Sequence, residues 1–504
     1  LYKKLFSQTL IYGLSNVLVR VFPFFLTPML VKAFGPAKYS IYADFYSAAG
    51  IISVLLTHGM ETTFFRFFQK YKENKEKQNQ VYFTAMTSVF IVSVVFLFLG
   101  ILFKKPLALA FKHPDEINFL IWFLFILAAD AMCAVPFAKL RIQNKAIYFA
   151  SLKILNSILI FLLSVILIFW IPKQIETQGI GYLFFTKIYN IDYGIGYAFA
   201  ANLIASIFTF FALLPTMIKG KYSFNIPLWK QMLIYAWPVT IAGLAGIVNE
   251  TMDRQFLKYL LPEGDADIQM GIYSAVYKIA TFIALFKTAY LLGVEPFFFS
   301  HASDKNSGKT YATLMKYFSI FSALILLFLV ANLDWIGRLY IGNPEYWVGL
   351  KVVPIILIGS TFLGIYLNLS IWYKLSDNTH YGALISGIGA LITIILNYIG
   401  LKYTNWGYWA CAWATLLSYL VMMLISYFWG QKKYPIPYNY RKLIFYIGGS
   451  SFLSLIAYYT SGNLWFRIIL GNLFFLLFIY LTTKIEYKDM KVFKEKIKKF
   501  RFKK

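Results

Sequence analysis

Apolar runs of helical length, separated by short polar gaps, follow one another from Tyr12 to Thr483. A helix needs about 20 residues to cross the hydrocarbon of a bilayer, and in lipid a run of this length satisfies its own backbone hydrogen bonds only as a helix. The ten-residue alternation that marks a membrane β-barrel strand is absent. Seven runs lie near residues 10–33, 41–65, 82–103, 117–138, 148–171, 194–217 and 232–257. Seven more lie near 271–293, 314–333, 352–373, 381–401, 407–429, 442–461 and 463–483. The pattern predicts an all-α polytopic membrane protein of about fourteen transmembrane helices. The first run is too long for the apolar stretch of a signal peptide and reads as a retained first helix.

Fourteen crossings put both termini on one side. With loops allotted alternately, that side carries roughly 31 Lys/Arg and the other roughly 12, the asymmetry expected of cytoplasmic loops. The basic side includes Arg66, Lys70, Lys72, Lys75 and Lys77, then Lys139, Arg141 and Lys145, then Lys432 and Lys433. The opposite side includes the acidic loop with Glu263, Asp265 and Asp267. Both termini are therefore expected in the cytoplasm, and the 258–270 loop outside.

Composition adds the same conclusion from another direction. Of 504 residues, 59% are hydrophobic and 14% charged, with a mean hydropathy of +0.63; soluble domains average about 45–50% apolar and about 25% charged. The net charge of +26 is spread between hydrophobic segments, not gathered on one domain face, which argues against a nucleic-acid partner. The tail 485–504, with Lys484 before it, carries about ten basic residues interleaved with Ile485, Val492, Phe493, Ile497 and Phe500. Such a segment either lies on anionic lipids or is solvated.

Two stretches resemble each other. Leu10-Ile11-Tyr12 opens the first helix and Leu233-Ile234-Tyr235 the seventh; IYADFYSAAG from Ile41 opens the second and IYSAVYKIAT from Ile272 the eighth. Each second element ends in an acid and a Phe cluster, Glu61 before Phe64-Phe65 and Glu295 before Phe297-Phe298-Phe299. Chance likeness among Phe/Tyr/Ile-rich helices is the competing explanation. As a repeat, it divides the chain into an N-lobe of six helices (1–220), a C-lobe of six (221–435), two appended helices (436–484) and the basic tail (485–504). Two lobes of equal orientation occur in transporters whose substrate site lies between rocking halves.

Ionisable groups inside spans cost roughly 2.5–3.5 kcal/mol each on insertion scales, so they usually face a polar cavity or a partner. Arg20 lies mid-span in the first helix, one turn beyond Asn16, with Pro23 and Pro28 after it. The second helix carries Asp44, then His58 and Glu61 one turn apart, then Arg66 at its exit. The seventh carries Asn249, Glu250, Asp253 and Arg254, with Glu250 and Arg254 at the i,i+4 spacing of an ion pair. Lys278 and Lys287 fall on nearly opposite faces of a regular eighth helix, and Asp130 is a further candidate. The substrate-facing set is Arg20, Glu61, Arg66, Glu250, Arg254 and Lys278, whose cations suit a phosphate or diphosphate. For Arg20 the sequence leaves two options, a wet cavity or a carboxylate partner among Glu61, Glu250 and Asp253. Asp253, aided by Asn397 and Thr415, is the candidate for coupling to Na⁺ or H⁺. Structural pairing between helices is the alternative for any one of these residues.

Other chemistries find little support. Four His with no HExxH and no Cys/His ligand spacing make a metal site unexpected. Phosphate-cradling GxxxxGK[ST] and GxGxxG loops are absent, so no cofactor is expected. Cys133 and Cys411 lie within apolar runs and read as small buried hydrophobes. A membrane polymerase or ligase would need an extramembrane loop bearing catalytic carboxylates; the longest outward loop, 171–193, is short and holds only Glu176 and Asp192. No catalytic residue is expected.

The run AFGPAKYSIYADFYSAAGIISVLLTHGMETTFFRFF, Ala33 to Phe68, resembles the second-helix region of bacterial oligosaccharide and polysaccharide flippases of the Wzx type. Gly59, Glu61, Thr62, Arg66 and Phe67 match that family's Gly-x-Glu-Thr-x-x-x-Arg-Phe ending, and GIGYAFAANLIASIF from Gly194 is similar to its sixth helix. The resemblance implies the multidrug/oligosaccharidyl-lipid/polysaccharide exporter superfamily. It further implies movement of a polyprenyl-diphosphate-linked glycan from inner to outer leaflet by alternating access, in the bacterial inner membrane. Related lipid II flippases share the fourteen-helix plan and an Arg near the position of Arg20, but their further cavity arginines have no clear counterpart in this first helix. Drug antiporters of the superfamily typically have twelve helices. A lipid II flippase and a small-molecule exporter remain the alternatives within the superfamily, and a monomer is expected.

Overall fold

The computed structural model describes the backbone of residues 2–300, 307–376 and 378–501, and the side chains of Ser15 and of residues 17–294, 298, 307–376 and 378–487. Asn16, Glu295, Phe297, Phe299 and the basic residues beyond 487 lie outside the described side chains. Among the described residues the chain is helical throughout, with no strand.

The first part of the chain comprises α1 (Tyr2–Ala33), α2 (Pro36–Thr57), α3 (Met60–Lys70), α4 (Lys75–Leu102), α5 (Lys104–Ala110) and α6 (Ile117–Ile142). It continues with α7 (Ala146–Val165), α8 (Ile171–Glu176), α9 (Tyr182–Ile188), α10 (Gly196–Ile218), α11 (Ile226–Leu260) and α12 (Asp265–Tyr277). Then come α13 (Thr281–Ser300), α14 (Ser307–Ala331), α15 (Leu333–Tyr340), α16 (Val353–Leu369) and α17 (Ile371–Leu375). Last are α18 (His380–Tyr403), α19 (Tyr408–Lys433), α20 (Tyr440–Tyr459) and α21 (Leu464–Arg501). Local chemistry sets several starts. Pro36 opens α2, where a missing N–H costs nothing, and Asn74, Asn225 and Asn439 cap α4, α11 and α20 through their side-chain oxygens.

Twelve stretches among the described residues are long and apolar enough to cross a membrane. They coincide with twelve of the fourteen expected runs; the other two, 10–33 and 442–461, are occupied by α1 and α20. The chain is a multi-pass membrane protein.

Two of the expected helices that carry candidate residues are not regular. The second breaks at His58 and Gly59, both left-handed with φ of 32° and 68°, so α2 and α3 are separate elements and His58 and Glu61 are not neighbours on one helical face. Gly59 is the residue that permits the break: a Cβ there would meet the Ala236 carbonyl oxygen of α11 at 2.8 Å. His58 is held by the Leu56 carbonyl and by Ser88 of α4, both at 2.9 Å. The eighth expected helix is α12 followed by a 3₁₀ turn, Lys278–Ala280, and then α13, which removes the regular geometry on which the opposed faces of Lys278 and Lys287 rest.

The chain forms two compact units, residues 1–278 with 380–418, and 279–379 with 419–504. This grouping reflects packing and differs in kind from the repeat-based boundaries at 220 and 435. In the first unit α6 lies against α4 and α10, α7 packs on α1 and α10, and α11 packs on α2 and α18. Cys133, Phe137, Leu140, Phe149, Leu152, Leu213 and Met217 form one of its cores. The repeat-matched helices touch reciprocally, α2 with α11 and α1 with α12, the pattern a two-fold relation generates.

In the second unit α14 packs on α16, α20 and α21. Polar pairs fasten α21 at two levels. Asn472 meets Asn332 at 3.2 Å and Arg467 meets Asp334 at 3.1 Å at one end. Further along α21 the buried Glu486 carboxylate accepts from Lys316 at 2.5 Å and from Lys442 and Tyr446 at 2.6 Å each.

Candidate functional site

Asp253 and Arg254 of α11 form a compact cluster with Tyr273 and Tyr277 of α12. Arg254 is buried and directs Nη1 to Asp253 Oδ1 at 3.0 Å and to the Glu250 carbonyl oxygen at 2.9 Å. Its guanidinium carbon lies 4.3 Å from the Tyr277 ring centroid and 5.7 Å from that of Tyr273. The Tyr273 hydroxyl donates to Asp253 Oδ2 at 2.7 Å. Asp253 thus accepts from the Arg254 guanidinium, the Arg254 backbone N–H at 2.9 Å and the Tyr273 phenol, and Arg254 is held in a fixed orientation. The expected pairing of Arg254 with the Glu250 carboxylate is not what forms. The guanidinium takes the adjacent Asp253, which leaves the Glu250 side chain exposed and, among the described residues, without an ion pair.

Lys278, at the end of α12, is half-buried and within electrostatic range of Arg254 and Glu250. It makes no ion pair and no hydrogen bond among the described residues. Arg20 is exposed on α1, which touches α12. It too has no ion pair among the described residues, since Glu61 and Asp253 are taken by other cations and Glu250 is unpaired. Of the two options for Arg20, a carboxylate partner does not form. Lys278 thus lies within electrostatic range of a preset Arg254–Asp253–Tyr273 network and of Glu250, while Arg20 stands on α1, a helix that touches α12.

Glu61 and Arg66 belong elsewhere. Glu61 pairs with Arg141 of α6 at 3.0 Å, while Arg66 stacks 4.2 Å from the Tyr235 ring of α11, with Phe67 edge-on to the same ring. Tyr235 and Arg254 are separated by about 28 Å of helix at 1.5 Å per residue. The Gly59-to-Phe67 motif is thus a docking surface of α3 for α6 and α11, and it lies far from the Arg254 cluster.

The proposed coupling set is not joined by direct hydrogen bonds to the Asp253 carboxylate among the described residues. Asn397 donates to the Thr393 carbonyl at 2.8 Å, and its buried side-chain oxygen has no hydrogen-bond partner among the described residues. Thr393 Oγ1 lies 3.0 Å from both Asn249 Oδ1 and Ser418 Oγ. Thr415 is buried on α19, one turn beyond Cys411, whose sulfur lies 3.7 Å from the Asp253 carbonyl oxygen. Neither Asn397 nor Thr415 hydrogen-bonds the Asp253 carboxylate, whose oxygens are taken by Arg254 and Tyr273. Asp130 is separate again, beside Ser206 of α10 and Lys153 of α7. Among the described residues no three His, Cys, Asp or Glu side chains converge as a metal site would require.

A second network, not foreseen from the chain, joins α2 to α11 and α12. Asp44, fully buried, accepts from His113 at 3.1 Å and from Gln255 at 2.9 Å. Lys258 pairs with Asp267 at 2.5 Å and lies 3.4 Å from His113, and Ser40 donates to Asp267 at 3.1 Å. The i,i+3 spacing of Gln255 and Lys258 was the available signal, but their partners come from three other segments.

Residues 5–301 match the family model described as Polysaccharide biosynthesis protein, more than half of the chain. The chain belongs to that family. No curated protein matches this polysaccharide biosynthesis family member, but solved structures resemble it over most of its length. One is titled Lipid II flippase MurJ, inward closed conformation, with TM-score 0.69 and 17% identity, covering 94% of this chain and 99% of that one. A second is an inward-facing multidrug resistance MATE family transporter of the MOP superfamily, with TM-score 0.64 and 14% identity, covering 84% and 94%. A third is a MOP superfamily transporter from Pyrococcus furiosus, with TM-score 0.56 and 12% identity, covering 85% and 95%. At these identities the likeness establishes the fold. This family member has the fold of flippases and transporters of that superfamily, as the Wzx-type resemblance implied.

Proposed function

We propose that this polysaccharide biosynthesis family member carries a polyprenyl-diphosphate-linked oligosaccharide from the inner to the outer leaflet of a bacterial inner membrane, by alternating access and without chemical change to its substrate. The observation that carries this reading is that Arg20 on α1 and Lys278 at the end of α12, on helices that touch, form no ion pair among the described residues. A sugar diphosphate cannot enter hydrocarbon without replacing its water and counterions. Cations held on a membrane helix supply that replacement, and the prenyl tail can stay in lipid throughout. Arg254 acts as a positioning residue: its charge is already matched by Asp253, and its stacking on Tyr277 fixes the helix end from which Lys278 projects.

Alternating access needs contacts that open at one membrane face while others close. The Asp44–His113–Gln255 and Lys258–Asp267 network is suited to hold α2 against α11 and α12 at one end. Arg66 on Tyr235, with Gly59 against Ala236, holds α3 against α11 at the other. For coupling, a Na⁺ or H⁺ at Asp253 would act by displacing Arg254 from its carboxylate, which would free a third cation for the diphosphate.

The test is complementation of a strain lacking its own glycan flippase. Arg20→Ala and Lys278→Ala should each abolish surface glycan while leaving the amount of protein in the membrane unchanged, and Arg20→Lys should restore export in part. Full export by a well-expressed Arg20→Ala, Lys278→Ala double variant would refute the reading. A lipid II flippase is the second reading, favoured by a fold match that spans 99% of a lipid II flippase. Rescue of cells depleted of that activity, without rescue of glycan export, would select it.

A further inference from the structure

Away from the Arg254 cluster, the first unit contains a cavity of about 460 Å³ at the ends of α4, α6, α7 and α10. This is the end from which the 71–74, 143–145 and 219–225 connections leave, the face that carries the excess of Lys and Arg. Lys75, Lys139, Lys145 and Lys219 line the cavity, and no carboxylate does.

Lys139 is fixed in place. Its Nζ donates to the carbonyl oxygens of Thr216 and Lys219, at 3.2 Å each, and sits 3.5 Å from the Tyr82 ring centroid. Those carbonyls close the C-terminal end of α10, where a cation is favoured by the helix dipole. The other three ammonium groups are exposed and make no ion pair among the described residues. Gln143 adds an amide to the same lining.

The general excess of basic residues on one membrane face explains how many lysines lie there. It does not explain why four of them, from four helices or their adjoining loops, face one concavity from which acids are excluded. Like charges around a cavity repel one another, and an anion among them reverses the sign of that interaction. The volume exceeds what a bare phosphate fills and lies within the roughly 300–1,000 Å³ range of ligand sites. Basic pockets between membrane helices on the cytoplasmic side are suited to anionic head groups.

We propose that this cavity is a binding site for a phosphate-bearing ligand, with Lys139 as the fixed cation and Lys75, Lys145 and Lys219 closing on the phosphate oxygens. It is independent of the transport site, since none of its lining residues belongs to the Arg20–Lys278–Arg254 set. The ligand is either the phosphodiester head group of an anionic lipid in the adjoining leaflet or a soluble phosphate compound reaching the same face.

The full-length protein in detergent is titrated with short-chain phosphatidylglycerol, phosphatidylcholine and pyrophosphate, with binding read by native mass spectrometry and by thermal shift. The variant is Lys75→Gln, Lys145→Gln, Lys219→Gln, whose three positions are exposed; Lys432→Gln, Lys433→Gln serves as a control for basic residues outside the cavity. Saturable binding of phosphatidylglycerol over phosphatidylcholine, weakened at least tenfold in the triple variant and unchanged in the control, identifies a lipid head group. Saturable pyrophosphate binding with the same variant pattern identifies a soluble ligand. Equal binding by the triple variant and the parent protein, or no saturable binding of either anionic probe, overturns the proposal.

Discussion

Removing the Asp253 carboxylate while keeping Arg254 would strand a guanidinium that is almost entirely buried. Breaking a buried pair from one side costs about 3–5 kcal/mol, because the remaining charge has lost its counterion without regaining water. Asp253→Asn is therefore expected to lower the melting temperature of the purified protein well below that of the Asp253→Asn, Arg254→Gln double variant. Equal melting temperatures would show that the two charges do not depend on each other. This effect has to be separated from any role of Asp253 in ion coupling, which reads out as loss of dependence on a Na⁺ or H⁺ gradient in transport. At this scale the sequence was informative about which groups are costly and poor on what they touch. Arg254 and Asp253 stand out as charges in an apolar run, but an i,i+4 rule points Arg254 to Glu250. The rule describes exposed helix faces; in the interior the guanidinium takes the adjacent carboxylate, because Tyr273 and Tyr277 of α12 enclose it there. Tyrosines carry no charge to single them out in a chain with 38 of them.

The elements show a similar division. Hydropathy marks nearly every spanning helix, since a crossing imprints some twenty residues at once. It is blind to the break between α2 and α3, because the apolar character continues on both sides of His58-Gly59 and only the backbone changes. Gly59→Ala should place a Cβ at 2.8 Å from the Ala236 oxygen in a left-handed conformation. It is expected to destabilise the protein by about 1–3 kcal/mol, whereas Gly449→Ala, with open space around it, should be neutral or slightly stabilising. Thermal unfolding of the two variants decides this, and an unaffected Gly59→Ala would remove the explanation for the break. In the second unit, Glu486→Gln leaves both Lys316 and Lys442 without their shared carboxylate. Its melting temperature should fall further than that of Lys442→Gln, which leaves the Lys316–Glu486 pair intact. Protease cleavage in α21 should rise in parallel.

For the whole molecule, the membrane class and the family were both readable from the chain: the first in its hydropathy, the second in the Gly59-to-Phe67 motif. That motif identified the family, and its residues dock α3 on α6 and α11. A family signature can follow packing between helices as well as chemistry. Sidedness rests on the Lys/Arg asymmetry. A cysteine introduced as Asp265→Cys should react with a membrane-impermeant reagent only from outside the cell, and Lys504→Cys only from the cytoplasm. The central claim is that the chain flips a lipid-linked glycan, and a flipping assay addresses it most directly. The purified protein is placed in liposomes holding a fluorescent polyprenyl-diphosphate oligosaccharide, and exposure of the glycan to an impermeant quencher is followed with time. The account predicts that the protected fraction disappears with the parent protein and persists with Lys278→Ala, as it does in protein-free liposomes. Persistent protection with the parent protein, or equal flipping by Lys278→Ala, would contradict it.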